Sequence, residues 1–318
     1  MAAALPLFPD LAPVPSGIAQ MAAAAAPIDD RRAIAFASLD ARSVLNRCDS
    51  ARLPFEWTLN PYRGCEFGCH YCYARYTHAF MELRGSHDFE RRIFVKRRAA
   101  ELLRRGLARV QPGERVALGT ATDPYQPAER HYRVTRSLLE VFAACAGRDL
   151  GIVTKSTLIR RDLDLLQRIA ARNRLSIRFT VTTLDPDLAR ALEPRAPRPD
   201  LRLRAAAALA AAGLDVGVMC APVLPAITDS RAALTAVAAA ARAAGARRFA
   251  ALPLFLQPAA QARFFPFLAA RFPDLLARYH RAYARGAYLP ATYQRLLRAR
   301  VTAIRAECGF SSDDPAAG

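Results

Sequence analysis

With 318 residues and a net charge of +18, the chain can bury a full hydrophobic core and is basic enough to attract polyanions. Its seven cysteines are odd in number and mostly scattered singly, which excludes a disulfide framework and points to a reducing, cytoplasmic setting. No apolar run approaches the ~20 residues of a membrane helix, so no membrane association is expected.

Residues 1–50 read as a largely disordered extension, because Met1–Ala26 is Ala- and Pro-rich and lacks the basic front of a secretion signal. Phe55–Leu59 reads as a strand that leads into Asn60–Tyr76. There Cys65, Cys69 and Cys72 stand at a C-x3-C-x2-C spacing, with Tyr71 just before the third. Gly64 and Gly68 allow the close backbone approach of a loop wrapped around a compact inorganic object. Thiolates select zinc, Cu(I) or iron–sulfur clusters, and only three are local here. On a [4Fe–4S] cluster, three thiolates leave one iron with an open position.

This motif resembles the signature of the radical S-adenosylmethionine (SAM) enzymes. The resemblance implies that the open iron holds SAM, and that one electron cleaves SAM to a 5′-deoxyadenosyl radical. It also implies an electron donor such as flavodoxin or ferredoxin. The alternative reading is a structural zinc site completed by His70 or a distant cysteine, in a nucleic-acid-binding protein without radical chemistry.

Beyond the cysteines, short apolar runs alternate with segments of helical period. Strands are expected at Arg115–Thr120, Leu150–Thr154, Leu175–Thr182, Asp215–Ala221 and Arg248–Leu252, with Ile93–Val95 ambiguous. Helices are expected at Arg97–Arg109, Glu129–Ala144, Arg161–Ala171, Leu201–Ala212 and Arg231–Ala244. The alternation predicts an α/β fold with a parallel sheet and crossover helices. Six strands are too few for a closed eight-stranded barrel, so a partial (β/α)6 TIM-like barrel over 51–255 fits best. Residues 256–318 read as a C-terminal helical appendage and tail, including Pro273–Arg285 and Pro290–Glu307, positioned to cover the open side of the barrel. A monomer is expected.

Ligands gather at the carboxyl ends of parallel strands. Polar residues cluster there: Thr120–Asp123 after the second strand, Thr154–Thr157 after the third, Thr182–Asp185 after the fourth and Thr228–Asp229 after the fifth. Asp123, Asp185 and Asp229 equally suit helix caps. Lys155 stands out because the chain otherwise uses arginine, Lys96 being the other lysine.

The runs Gly119–Glu129, Thr154–Ser156 and Ala221–Pro225 look like the branch of radical SAM proteins related to spore photoproduct lyase. That resemblance implies cluster ligation by Cys65, Cys69 and Cys72, and an adenine contact from Tyr71. It further implies SAM contacts from Thr122, Asp123, Lys155 and Thr182, while the substrate stays open among DNA lesions, modified RNA and peptides, with nucleic acid favoured by the charge and the branch. The lyase carries a hydrogen-donating cysteine where Thr120 stands here, which makes Cys220 the substitute candidate.

Overall fold

The computed structural model describes residues 16–31, 34–50 and 52–311. Eleven strands are described: β1 (Ala26–Arg31), β2 (Ile34–Ser38), β3 (Leu45–Arg47), β4 (Trp57–Leu59), β5 (Tyr62–Arg63), β6 (Arg92–Val95), β7 (Arg115–Leu118), β8 (Asp149–Thr154), β9 (Arg174–Thr180), β10 (Val216–Val223) and β11 (Arg248–Pro253). They form a seven-stranded sheet in the order β11-β10-β9-β8-β7-β4-β3 and a four-stranded sheet in the order β1-β2-β6-β5. In the large sheet β4 and β7 to β11 are all parallel, and β3 is antiparallel to β4.

The six parallel strands are the six expected from the apolar runs, and the open sheet is the partial barrel that six strands allow. Their crossover helices behave as amphipathic sequences should. Helix Leu163–Ala170 buries Leu165, Leu166 and Ile169 against the sheet. Ser230 caps helix Arg231–Ala243 by accepting from Ala233 N at 3.1 Å.

The stretch between Glu129 and Ala144 is broken where a single helix was expected. Arg133 takes a left-handed conformation and separates Glu129–Tyr132 from Val134–Ala143. Glu129 explains the break. Its carboxylate accepts from Thr135 N at 2.8 Å and Arg136 N at 3.1 Å, which caps the second helix as a new start.

Residues 17–50 carry more structure than the sequence suggested. Gly17–Ala23 is a helix, β1 and β2 belong to the small sheet, and β3 edges the large one. The rest of the expected disordered extension, residues 1–15, lies outside the described residues. The ambiguous Ile93–Val95 run is β6, parallel to β2 and antiparallel to β5. A two-residue strand such as Tyr62–Arg63 carries no period of its own, so this sheet was invisible in the apolar pattern.

The C-terminal region is helical, with Pro258–Arg271, Leu276–Tyr283 and Ala291–Glu307. The first two pack Phe264, Leu268, Tyr279 and Tyr283 into one apolar cluster with Cys65, Phe67, Cys69 and Tyr71. The appendage therefore lies on the cysteine loop. Among the described residues no helix is long and apolar enough to cross a membrane.

Candidate active site

The cysteine loop begins directly after β5. Gly64 has φ +82°, and a side-chain carbon there would lie 2.8 Å from the Phe89 carbonyl and 2.9 Å from that of Arg92. Only glycine fits this approach. The Gly64 carbonyl accepts from Thr122 Oγ1 at 2.6 Å and Gln126 Nε2 at 3.1 Å. Gln126 Oε1 accepts from Glu66 N at 2.9 Å, and Glu66 Oε1 accepts from Ala128 N at 2.6 Å. The polar segment after β7 is thus clamped onto the backbone around Cys65. On the other side, Cys65 N donates to Phe89 O and His70 N to Leu192 O. Arg75, paired with Glu90 at 2.8 Å with both buried, donates to Cys69 O at 3.2 Å. Every bend of the loop has a backbone tether, as buried polar chain requires.

Cys65 and Cys69 are buried and Cys72 is half-buried, and all three are free thiols. Burial raises the pKa of each; Cys69 and Cys72 add to the rise at Cys65, and Glu193 and Cys72 to that at Cys69, which is pushed up to about 12. Among the described residues, no three or more of His, Cys, Asp and Glu gather as a site for a single metal ion. His70 turns toward the appendage, its ring stacked on Phe267 at 4.5 Å and 24°. Burial lowers its pKa to about 4.

Beside Cys69 lies a buried charged group. Glu193 accepts from Arg202 on one carboxylate oxygen, and from Tyr71 Oη and Thr182 Oγ1 (3.0 Å) on the other. Thr182 Oγ1 and Tyr71 Oη are 3.2 Å apart. Glu193 and Arg202 are each 1 % exposed, so neither charge is shared with solvent. Burial opposes the Glu193 charge, but Arg202 and Lys155 outweigh it and hold its carboxyl below the ordinary range. Arg202 also donates to Thr180 O and Pro197 O, which fixes its plane.

Lys155 projects into this group, with Nζ 5.8 Å from the centre of the Tyr71 ring. Burial works against its charge, yet the surrounding Cys69, Glu193 and Asp123 raise its pKa. Among the described residues its Nζ makes no hydrogen bond and no ion pair, although it is half-buried. It is a charged donor without an acceptor, facing the cysteines.

The other expected site residues occupy different positions. Thr122 spends its hydroxyl on Gly64 O and receives Gln126 Nε2 at 3.0 Å. Asp123 accepts from Thr154 Oγ1 and Lys155 N, both at 2.7 Å, and from Tyr125 N at 2.9 Å. It ties the end of β7 to the end of β8 and sets the backbone from which Lys155 springs. Cys220 is fully buried among Val181, Val218, Leu234, Val237 and Ile304, against the helices. Its thiol touches the site only through the Thr182 carbonyl at 3.5 Å. Asp185 caps helix Pro186–Leu192, and Asp229 binds Ala226 N and Tyr293 Oη.

Sequence reasoning missed Glu193, Arg202 and Gln126. Arg202 carried a readable signal: it shares the buried face of helix Pro199–Ala211 with Ala205, Ala206 and Leu209, at helical spacing. An arginine on that face demands a buried acid.

The parallel α/β fold thus sets three free cysteines beyond its first parallel strand and beside Lys155. The radical SAM superfamily profile matches residues 59–236, and the chain belongs to that superfamily. An uncharacterised protein of Mycobacterium tuberculosis (strain H37Rv) is 40% identical over 282 residues, covering 88% of this chain and 83% of the relative. One from Methanocaldococcus jannaschii is 25% identical over 174 residues, covering 55% and 62%. Among solved structures, spore photoproduct lyase complexed with dinucleoside spore photoproduct shares the fold at TM-score 0.63 and 17% identity, covering 93% of this chain and 83% of that one. SuiB of Streptococcus suis bound to S-adenosylmethionine aligns at TM-score 0.50 and 14% identity, covering 80% and 45%. The protein is a radical SAM enzyme.

Proposed function

We propose that Cys65, Cys69 and Cys72 hold a [4Fe–4S] cluster, and that SAM binds between it and Lys155 for a reaction on a nucleic-acid substrate. The observation that carries this reading is the unpartnered Lys155 ammonium over the Tyr71 ring beside Cys69. Such a donor suits the carboxylate or ribose of a bound SAM. The residues fit the cluster by chemistry: three thiols on one tethered loop, cradled by a glycine that no side chain can replace. When bound, the pair supplies one-electron cleavage of SAM and a carbon radical that abstracts hydrogen.

The chain's own residues set the geometry. Glu193 fixes the Tyr71 ring through its hydroxyl, so the ring presents one edge of an adenine pocket, with Thr182 alongside for the ribose. Thr122 and Asp123 act one layer back, the first on the loop carbonyl and the second on the Lys155 backbone. The helical appendage keeps water from the back of the loop. Support for nucleic acid comes from the net charge of +18 and from the dinucleoside ligand named for the lyase structure. The zinc alternative would need His70, whose ring is stacked on Phe267, or a distant cysteine as its fourth ligand.

Anaerobic reconstitution with iron and sulfide, reduction with dithionite and assay for 5′-deoxyadenosine test the reading. Product is expected from the wild type and none from Cys69→Ala. A fully iron-loaded wild type that makes no 5′-deoxyadenosine, or stoichiometric zinc in protein prepared without oxygen, overturns it.

A further inference from the structure

A row of aromatic rings runs along the rim of the site, starting at the residue after Cys72. Tyr73 lies 6.5 Å from Tyr76 at 21°, and Tyr76 lies 5.4 Å from Phe80 edge-on. In the other direction Tyr73 lies 6.0 Å from Phe255, and Phe255 4.5 Å from Tyr288. The Arg52 guanidinium covers Tyr288 at 4.8 Å. Five rings and a cation thus follow one another without a gap. Tyr73, Tyr288 and Phe80 are 39%, 52% and 62% exposed, far more than a core role requires.

The row is built into the fold. Tyr73 Oη donates to the Thr120 carbonyl just beyond β7, which fixes its ring with one face outward. Leu256 N donates to Ala287 O at 2.9 Å and Tyr283 Oη to Leu254 O at 2.8 Å, which hold the Phe255 and Tyr288 segments together. Tyr73 follows β4 through the cysteine loop and Phe255 follows β11. The row therefore joins the loop that follows the first parallel strand to the segment that follows the last.

We infer that this row is a stacking platform for unpaired bases of a nucleic-acid strand, leading them to the cofactor site; the inference rests on the nucleic-acid reading proposed above. Three exposed rings and two half-buried ones in series, flanked by guanidinium groups, offer the combination that single strands need: π-faces that accept any base, and cations for phosphates. Arg52 stands at one end. Arg63, whose charge acts on Tyr76, stands nearer the other. The net charge of +18 matches a polyanion. A duplex keeps its bases stacked inside and cannot use such a row.

Binding of a short fluorescein-labelled homothymidine strand, and of its duplex, to the reconstituted protein at fixed salt tests this. The single strand is expected to bind more tightly. The Phe255→Ala/Tyr288→Ala variant should bind it roughly tenfold or more weakly, since a base–aromatic stack is worth ~1–3 kcal/mol. Tyr288→Phe, which keeps the ring, should bind as the wild type does, and Leu296→Ala, an exposed side chain on helix Ala291–Glu307, should leave binding unchanged. Iron content and melting temperature verify that each variant is folded. Equal binding of strand and duplex, or of wild type and the double variant, overturns the inference. So does a double variant that binds normally but is reduced slowly by flavodoxin and normally by dithionite, which would assign the row to a protein electron donor. 5′-Deoxyadenosine formation by the wild type without oligonucleotide is read on the same preparations. Its absence defeats the enzymatic reading, whereas the binding arms alone decide the platform.

Discussion

Tyr71 donates its phenolic hydrogen to Glu193 across 122 residues of chain, and both groups are buried. The bond links the residue before the third cysteine to the segment after β9. It makes the orientation of one ring depend on one carboxylate. Arg202 neutralises that carboxylate, and removing either charge strands the other in apolar surroundings. Arg202→Met and Glu193→Gln should each lower stability by about 3–5 kcal/mol in urea denaturation. Glu193→Leu/Arg202→Leu should lose less than the sum of the single changes. Additive losses would contradict the coupling.

Gly64→Ala tests the loop cradle. The added carbon meets two backbone carbonyls below 3.0 Å and a φ that alanine disfavours. We expect iron loading, followed by thiolate-to-iron charge-transfer absorbance, to fall by at least an order of magnitude, with the far-UV CD spectrum retained. Gly113→Ala shares the left-handed φ (+88°) but has open space around the new carbon, so it should load normally despite the backbone strain.

Lys155→Met should leave iron loading intact and weaken SAM binding more than tenfold, as measured by equilibrium dialysis of the loaded protein. Lys155→Arg should restore it poorly, because a planar fork cannot take the place of a compact ammonium over the Tyr71 ring. Unchanged SAM affinity in Lys155→Met would remove Lys155 from the site.

Lys96 predicts a pH dependence. It is 4% exposed, and its Nζ donates to the Asn60 carbonyl at 2.8 Å. Burial, with Arg63 adding repulsion, pushes its pKa down to about 7. The folded pKa lies below the unfolded one, so between them the unfolded chain binds the extra proton. This residue's contribution to stability therefore rises with pH from about 7 to about 10.4 and is flat below that window. Raised tyrosine and cysteine pKa values act in the opposite sense, so the difference from Lys96→Met isolates it. Urea unfolding should show wild type gaining on the variant by a few kcal/mol across that window. Parallel pH curves would contradict the buried-ammonium assignment.

Cys220→Ala should cost about 1 kcal/mol in stability, as for a small buried hydrophobe, with iron content unchanged. Loss of the cluster in this variant would contradict the packing described here.

The parallel strands and the cysteine loop were legible in the sequence because each signal is local: β-branched runs with helical segments between them, and three thiols within eight residues. Lys155 was legible from chemical rarity. The Glu193–Arg202 pair was harder to see, because its acid lies in a proline-rich connection and its base in an alanine-rich helix. Nothing in residue order marks the two as partners until β9 and helix Pro199–Ala211 are folded together. Residue type and position suggested ligand contact for Thr122 and Asp123, but not the bonds their oxygens make to Gly64 O, Gln126 Nε2, Tyr125 N, Thr154 Oγ1 and Lys155 N. The small sheet escaped notice because its register depends on β5, two residues long, pairing with β6.

That small sheet bears on where the protein can be cut. Tyr62 and Arg63 pair with Val95 and Phe94, and β6 in turn pairs with β2, so the lead-in to Cys65 leans on residues 34–38. A truncation starting at residue 51, the boundary suggested by composition alone, would remove β1, β2 and β3 together. It would leave β6 with a bare edge and β4 without its antiparallel neighbour. Shortened expression variants of this enzyme should therefore keep the chain from residue 16 onward, or forfeit the footing of the loop along with the strands.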